Sequence, residues 1–214
     1  MSCQRSDDHP MTVFAHFSMS TAAFSRHCLA LACWALLASG VAFPALAADY
    51  RIDPEHSYAS FSIDHLGFST QRGQFTDTRG TVSFDPESKQ GEIYVRIAAG
   101  SIDTGLAKRD EVLRGADWFN VAANPDIIFR SQQLVFDGDR LTGIDGTLLL
   151  LGQIRPLHLE VKRLKCGLNL ANRKRGCGAD AEGVIKRSDF GFENGLPFIG
   201  DEVRLHIQVE AYAP

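Results

Sequence analysis

Val203-Arg204-Leu205-His206-Ile207-Gln208-Val209-Glu210-Ala211 alternates apolar and polar side chains without a break. Val203, Leu205, Ile207, Val209 and Ala211 fall on one face, and Arg204, His206, Gln208 and Glu210 on the other. A period of two belongs to a strand with one face buried and one in water. The same pattern recurs upstream. Leu157, Leu159 and Val161 alternate with His158, Glu160 and Lys162, and Ile93, Val95 and Ile97 with Glu92, Tyr94 and Arg96. Phe61, Ile63 and the His65 ring share a face opposite Ser60, Ser62 and Asp64. Shorter runs carry it further: Val82 and Phe84 lead to a turn at Asp85-Pro86, Ile127 and Phe129 precede Ser131, and Leu134-Val135-Phe136 ends at Asp137-Gly138-Asp139. Gly146 opens another run that ends at Leu151. Gly, Pro, Asp and Asn separate these segments, at the spacing of successive hairpins.

About eight such strands bury their apolar faces either as a two-sheet sandwich or as one sheet closed on itself, and closure removes the edges. A membrane-spanning barrel would turn its apolar face to lipid and keep a polar lumen. Here the polar face mixes both signs of charge, with Arg204, Glu210, Glu160, Lys162, Glu92 and Arg96. That is a surface for water, and the chain reads as a soluble all-β barrel. Only Asp103 to Arg114 breaks the strand pattern, with Leu106, Arg109-Asp110 and Leu113 at helical spacing. It predicts one short helix with Asp103 or Thr104 as N-cap.

Ahead of the strands, residues 28–43 (CLALACWALLASGVAF) form an apolar run preceded by Arg26 and His27 and closed by Pro44 and Ala45-Leu46-Ala47. The run is shorter than the roughly 20 residues that cross a bilayer, and it ends in an A-x-A cleavage box. Residues 1–47 are therefore expected to be a signal peptide, cleaved after Ala47 or Ala48, with Met19 an alternative start of more ordinary length. Cys33 lacks the large aliphatic residue expected three places before a lipidated cysteine. The expected product is residues 48–214, one domain in an oxidising, periplasmic compartment.

Cys3, Cys28 and Cys33 leave with that leader, so Cys166 and Cys177 remain. An even pair flanking the polar segment 167–176 is what a disulfide tying the arms of a hairpin would look like. The leader carries equal numbers of acidic and basic residues, so the formal charge stays at −4 without it. A mildly acidic domain whose one dense basic run is Arg173-Lys174-Arg175 gives no electrostatic case for nucleic acid. No histidine, carboxylate or cysteine set has metal-ligand spacing. His56 stands beside Asp53 and Ser57, but no G-x-S-x-G elbow is present. The group is expected to hold structure, and the chain is not expected to be an enzyme.

In order along the chain stand Tyr50-Arg51-Ile52-Asp53, His56-Ser57, Phe61, His65, Gly73-Gln74-Phe75, Gly80 and Phe84-Asp85. They are followed by Ser101-Ile102-Asp103-Thr104, Arg109-Asp110, Leu113, Phe119, Asn124-Pro125 and Phe129-Arg130-Ser131. Gly146-Thr147-Leu148, Arg155-Pro156-Leu157 and Arg187-Ser188-Asp189-Phe190-Gly191 close the set. Over nearly all of residues 48–214 this order resembles the YceI-like family. Asn120, where an acidic residue is common, and Leu150-Leu151, in place of a more polar stretch, depart from its pattern. The resemblance implies a lipocalin-like, eight-stranded antiparallel barrel with a helix at one side, exported to the periplasm. Its interior would hold a polyisoprenoid chain or an isoprenoid quinone, a ligand and not a cofactor.

The candidate lining is Phe61, Ile63, His65, Val82, Phe84, Val95, Phe129, Leu159, Leu205 and Ile207, which either fill a solid core or surround a tunnel. Arg109, Arg130 and Arg155 are candidate head-group contacts, with ion pairing and strand-end anchoring as the competing roles. The expected partners are an isoprenoid lipid and a transient membrane or membrane-protein contact. The oligomeric state stays open, a dimer included. The alternative is a stress- or redox-associated scaffold that works with a membrane partner.

Overall fold

The computed structural model describes residues 48–85 and 88–214. The leader reading, with its cysteines, lies outside the described residues, as does Pro86 of the expected turn. The strands are β1 (Ala48–Ile52), β2 (Tyr58–His65), β3 (Ser69–Phe75), β4 (Thr78–Asp85), β5 (Gln90–Ala98) and β6 (Ile102–Asp103). They continue with β7 (Asp126–Asp137), β8 (Arg140–Leu150), β9 (Gln153–Leu168), β10 (Arg175–Lys186) and β11 (Ile199–Tyr212). A helix, α1 (Ala107–Arg114), lies between β6 and β7.

These eleven segments make an eight-stranded antiparallel barrel, because three of its strands are each bent into two. β1 and β2 both pair with β11; β1 also pairs with β4, and β2 with β3. β4 pairs with β5, and β3 with β6, so β3–β4 and β5–β6 are likewise two bent strands. The remaining strands meander in chain order to β11, whose pairing with β1 and β2 closes the ring. Closure removes both ends of the sheet, although β9 beyond Glu160 keeps β10 as its sole strand partner.

Each bend is repaired by a side chain. Between β1 and β2, the buried Ser57 hydroxyl donates to the Glu210 carbonyl (3.2 Å) and accepts from the Glu210 N–H (3.0 Å). Ser101 Oγ donates to the Ala98 carbonyl (2.7 Å) and accepts from the Asp77 N–H (3.1 Å), bridging the other two bends. Backbone groups that lose ladder partners at a bend are thereby paired.

The period-two pattern sends Leu157, Leu159 and Val161 inward, all buried, while Lys162 to Leu168 are exposed. The change follows the last pair of β8 with β9, at Glu160, and coincides with a register shift at Asp180–Ala181; beyond it β9 runs on as a ribbon with β10 as its sole strand partner, while β10 stays paired with β11 as far as Gly176. Cys166 and Cys177 face each other in that register and are joined by the expected disulfide.

The helix forms, but not with the expected cap. Leu106 occupies the N-cap position without a side-chain bond, and Asp103 Oδ1 instead accepts the Gly105 N–H (2.8 Å) in the turn before it. Thr104 turns the other way and donates to Asp110 within the helix through its N–H (2.9 Å) and its hydroxyl.

The connections sort onto two ends. One end carries the β2–β3 turn, residues 104–125 with α1, the β8–β9 turn and residues 187–198. The other carries the β7–β8 turn, the β9–β10 ribbon and the first residues of β1.

Candidate ligand-binding cavity

Strand alternation alone would pack the barrel solid, yet a cavity of about 420 Å³ runs into it from the end that carries α1. That volume suits a slender small molecule. Two glycines help keep the bore open. A Cβ on Gly73 would lie 2.6 Å from the Phe61 ring, and one on Gly146 would lie 2.6 Å from the Phe129 ring. With hydrogen in its place, each ring lies flat against the facing strand.

Ile127, Phe129, Leu148, Leu157 and Leu159 make the wall on β7, β8 and β9, all buried. Phe61, Ile63, Val95, Leu205 and Ile207 line the cavity from β2, β5 and β11, and His65 stands toward its mouth. Two of the candidate lining residues are corrected. Val82 and Phe84 do not reach the cavity; they belong to the far half of the barrel, where the Phe84 ring stacks on Phe136 at 6.2 Å. Parity correctly gave them one face but carries no information on depth along the barrel axis.

At the mouth the wall turns aromatic and polar. Phe61, Phe75, Phe119 and Phe192 form a chain of ring contacts with centroids 6.0, 5.6 and 5.1 Å apart, and Trp118 meets Phe192 edge-on at 5.6 Å. Such pairs add about 0.5–1.5 kcal/mol each beyond their burial. They tie residues 118–119 and 192 to the barrel wall. Sequence reasoning missed this cluster, because Trp118, Phe119 and Phe192 stand in irregular segments where no period marks an inward face. Ile97, Ile127 and Leu157 were on identified strands and could have been added by parity alone.

Arg109 is the candidate head-group cation that the fold brings to the cavity. It donates from Nε to Thr104 Oγ1 (2.7 Å) and from its two Nη atoms to Gln71 Oε1 (2.6 Å) and the Thr104 carbonyl (2.7 Å). Its bonds go to neutral acceptors, while the adjacent Asp110 is taken by Thr104. The Thr104 donors hold the buried Asp110 carboxyl below its ordinary value against the opposing effect of burial. The other two cations stand elsewhere, and both are corrected as cavity contacts. Arg130 lies on the outer face with its guanidinium 4.5 Å from the Tyr94 ring centroid. Arg155 donates to the Ile154 carbonyl (2.9 Å) and Gln153 Oε1 (3.3 Å) beside the β8–β9 turn.

Arg187 went unrecognised as part of this end. Buried to 3% exposure, it donates to the carbonyls of Gly200, Phe192, Asn194 and Ile199 at 2.7–2.9 Å. Burial depresses its pKa, and nearby Asp201 opposes that; Asp201 also accepts from the Ser188 N–H and hydroxyl (2.9 and 2.8 Å). One guanidinium thus folds the whole 187–200 connection around itself. The hydrolase-like grouping is likewise accounted for: His56 Nδ1 meets Asp53 Oδ2 at 2.8 Å, and the Ser57 hydroxyl is bonded to the Glu210 backbone.

The arrangement can take up a long apolar molecule and present Arg72, Arg109 and several neutral polar groups to its outer end, with the buried Arg187 behind them. The YceI-like domain profile matches residues 50–211. Protein YceI of Escherichia coli O157:H7 is 41% identical over 169 residues, which cover 78% of this chain and 87% of that protein. The crystal structure of a Campylobacter jejuni YceI protein is similar at TM-score 0.60 and 28% identity, covering 71% of this chain and 90% of that one. A polyisoprenoid-binding domain from Saccharophagus degradans, implicated in plant cell wall breakdown, shares the fold at TM-score 0.56 and 18% identity, covering 79% and 99%.

Proposed function

The chain belongs to the YceI-like family, and from that premise we propose that it is a periplasmic carrier that holds one isoprenoid lipid in its barrel cavity and does no chemistry of its own. The cargo is a polyprenyl chain or an isoprenoid quinone. The observation that carries this reading is the cavity wall itself, aliphatic and aromatic from Leu159 and Ile207 to Phe61, with its polar side chains, the buried Thr78 apart, toward its mouth. A branched hydrocarbon chain fits such a wall. Each isoprene unit buries five carbons at about 0.8 kcal/mol apiece, or about 4 kcal/mol gross before ordering costs. A few units suffice for tight binding, and Arg109 then meets the phosphate or ring oxygens left at the mouth.

The test is to express the protein with its own leader, purify it gently from the envelope, and analyse an organic extract by mass spectrometry beside a denatured control. A stoichiometric isoprenoid, found on protein that begins at Ala48 or Asp49, is the expected result. A protein that comes out empty and also refuses added prenyl lipid overturns the reading.

A further inference from the structure

Apolar side chains do not end at the cavity mouth. His65 and Ile199 line the cavity and pair across β2 and β11, and immediately outside them stand Leu66, Phe68 and Phe198. Phe68 is 90% exposed and Phe198 65%. The two tips are held together, for the Leu66 N–H donates to the Phe198 carbonyl (2.7 Å), and Asp64 Oδ2 pins the turn by accepting the Gly67 N–H (2.9 Å). On the helix, Val112 both lines the cavity and is exposed, and Leu106, at the N-cap six residues earlier, is exposed too. Arg109, bonded to Gln71, ties that helix to β3. Large apolar residues on fixed turns beside an open apolar bore mark an interaction surface.

Resting on the carrier reading, we propose that this collar of Leu66, Phe68, Leu106, Val112 and Phe198 seats on the surface of a lipid bilayer, so that cargo passes between membrane and cavity without crossing water. Continuity decides the occupant: the collar and the bore form one apolar path, and an isoprenoid's free pool is the bilayer. The collar also carries cations of its own, Arg72 and Lys108, both exposed. A rival surface exists at the opposite end, where Leu164, Leu168 and Leu170 stand on the ribbon with Arg163, Lys165 and Arg173. That surface has no connection to the cavity. Docking through the ribbon would rely on anionic lipid and fall with salt, whereas docking through the collar relies on apolar burial and persists.

The test is cosedimentation of the protein with phosphatidylcholine vesicles, with and without phosphatidylglycerol, at low and high salt. The variants are Phe68→Ser with Phe198→Ser and, at the other end, Leu168→Ser with Leu170→Ser. Removing each phenylalanine is expected to lower vesicle partition by about tenfold, since burying such a side chain is worth at least that factor. The ribbon variant is expected to bind as the parent does. Uptake of a fluorescent prenol from detergent micelles, measured on the same proteins, is expected to be unchanged by either pair. Equal vesicle binding by collar variant and parent overturns the proposal, as does loss of binding in the ribbon variant alone. A dimer in sedimentation that the collar substitutions dissociate also overturns it, since the collar is then covered by a second copy. The readouts separate the two claims: loading from micelles without vesicle binding defeats the collar alone, and vesicle binding without loading defeats the carrier alone.

Discussion

The two ends of the barrel are held together by different means. At the ribbon end, order comes from strand pairing: β9 and β10 stay in register as far as Leu168 and Arg175, and a disulfide clamps the Cys166–Cys177 pair. At the mouth end, strands stop early and the chain crosses in long irregular segments. Order there comes from cations folded onto carbonyls. Arg187 gathers four of them, and Arg114 fastens α1 by donating to the carbonyls of Gly100 (2.8 Å) and Ile102 (2.9 Å). An end that must stay open cannot fill itself with side chains, and carbonyls outside a ladder still need donors. A guanidinium, with five N–H groups in a fixed plane, meets that need with one residue.

The largest effect that tests this contrast is at Arg187. Arg187→Met keeps an apolar stem and removes every donor, leaving several partly buried carbonyls unpaired at about 1–3 kcal/mol each before water relieves some of them. A loss of at least about 3 kcal/mol in urea unfolding is expected, with fast hydrogen exchange confined to residues 187–200. Arg187→Lys should recover little, because one ammonium cannot span four carbonyls. If either variant is no worse than a surface substitution, the mouth is held by its aromatic contacts and the contrast between the ends dissolves.

Next in size is the disulfide. Replacing Cys166 and Cys177 by serine frees a short loop, which loop-closure entropy values at about 3 kcal/mol. The β9 arm of the ribbon is held by β10 alone, so part of that loss will appear as local fraying of residues 164–175. A decrease of about 2–3 kcal/mol in unfolding free energy is expected, with prenol uptake unchanged. Uptake that falls together with stability would mean that the ribbon end shapes the cavity as well.

The ribbon end was also the end the sequence disclosed. Period two in Val203 to Ala211, and a cysteine pair flanking a polar turn, are local signals, and both the strand and the disulfide are present. The mouth was read less well, because its order is nonlocal. Nothing near Arg187 announces that its partners lie at 192–200, and the N-cap falls not to Asp103 or Thr104 but to Leu106, which has no side-chain acceptor, while Asp110 reaches back to accept from Thr104. Parity placed Leu159, Leu205 and Ile207 inside, yet it could not tell cavity from filled barrel. It therefore misplaced Val82 and Phe84, and residue type alone could not separate Arg109 from Arg130 and Arg155.

The smallest expected effect compares one device at two depths. Asp110 and Asp53 are both carboxylates held by a donor a few residues away, but Asp110 is buried at the mouth and Asp53 is solvent-accessible at the bend between β1 and β2. His56 donates to Asp53, which lowers the Asp53 pKa and raises that of His56; burial opposes both, while Glu210 and Glu55 add to the rise. The His56 contribution to stability is complete below the free histidine value of about 6.5 and is lost as pH rises through its raised folded value. The Asp53 contribution is complete above the free carboxyl value of about 3.9 and is lost as pH falls through its lowered one. The pair therefore stabilises the bend most between those limits. In an NMR titration the His56 ring should titrate above an ordinary histidine, and Asp53→Asn should bring it back, with little change in unfolding midpoint because water screens the pair. Asp110→Ala removes the acceptor of both Thr104 donors where water cannot substitute, so it should loosen α1 throughout the pH range in which Asp110 is ionised. If Asp53→Ala proves as damaging as Asp110→Ala, depth is not what separates the two carboxylates, and the bend at Asp53 is as essential to the barrel as the mouth.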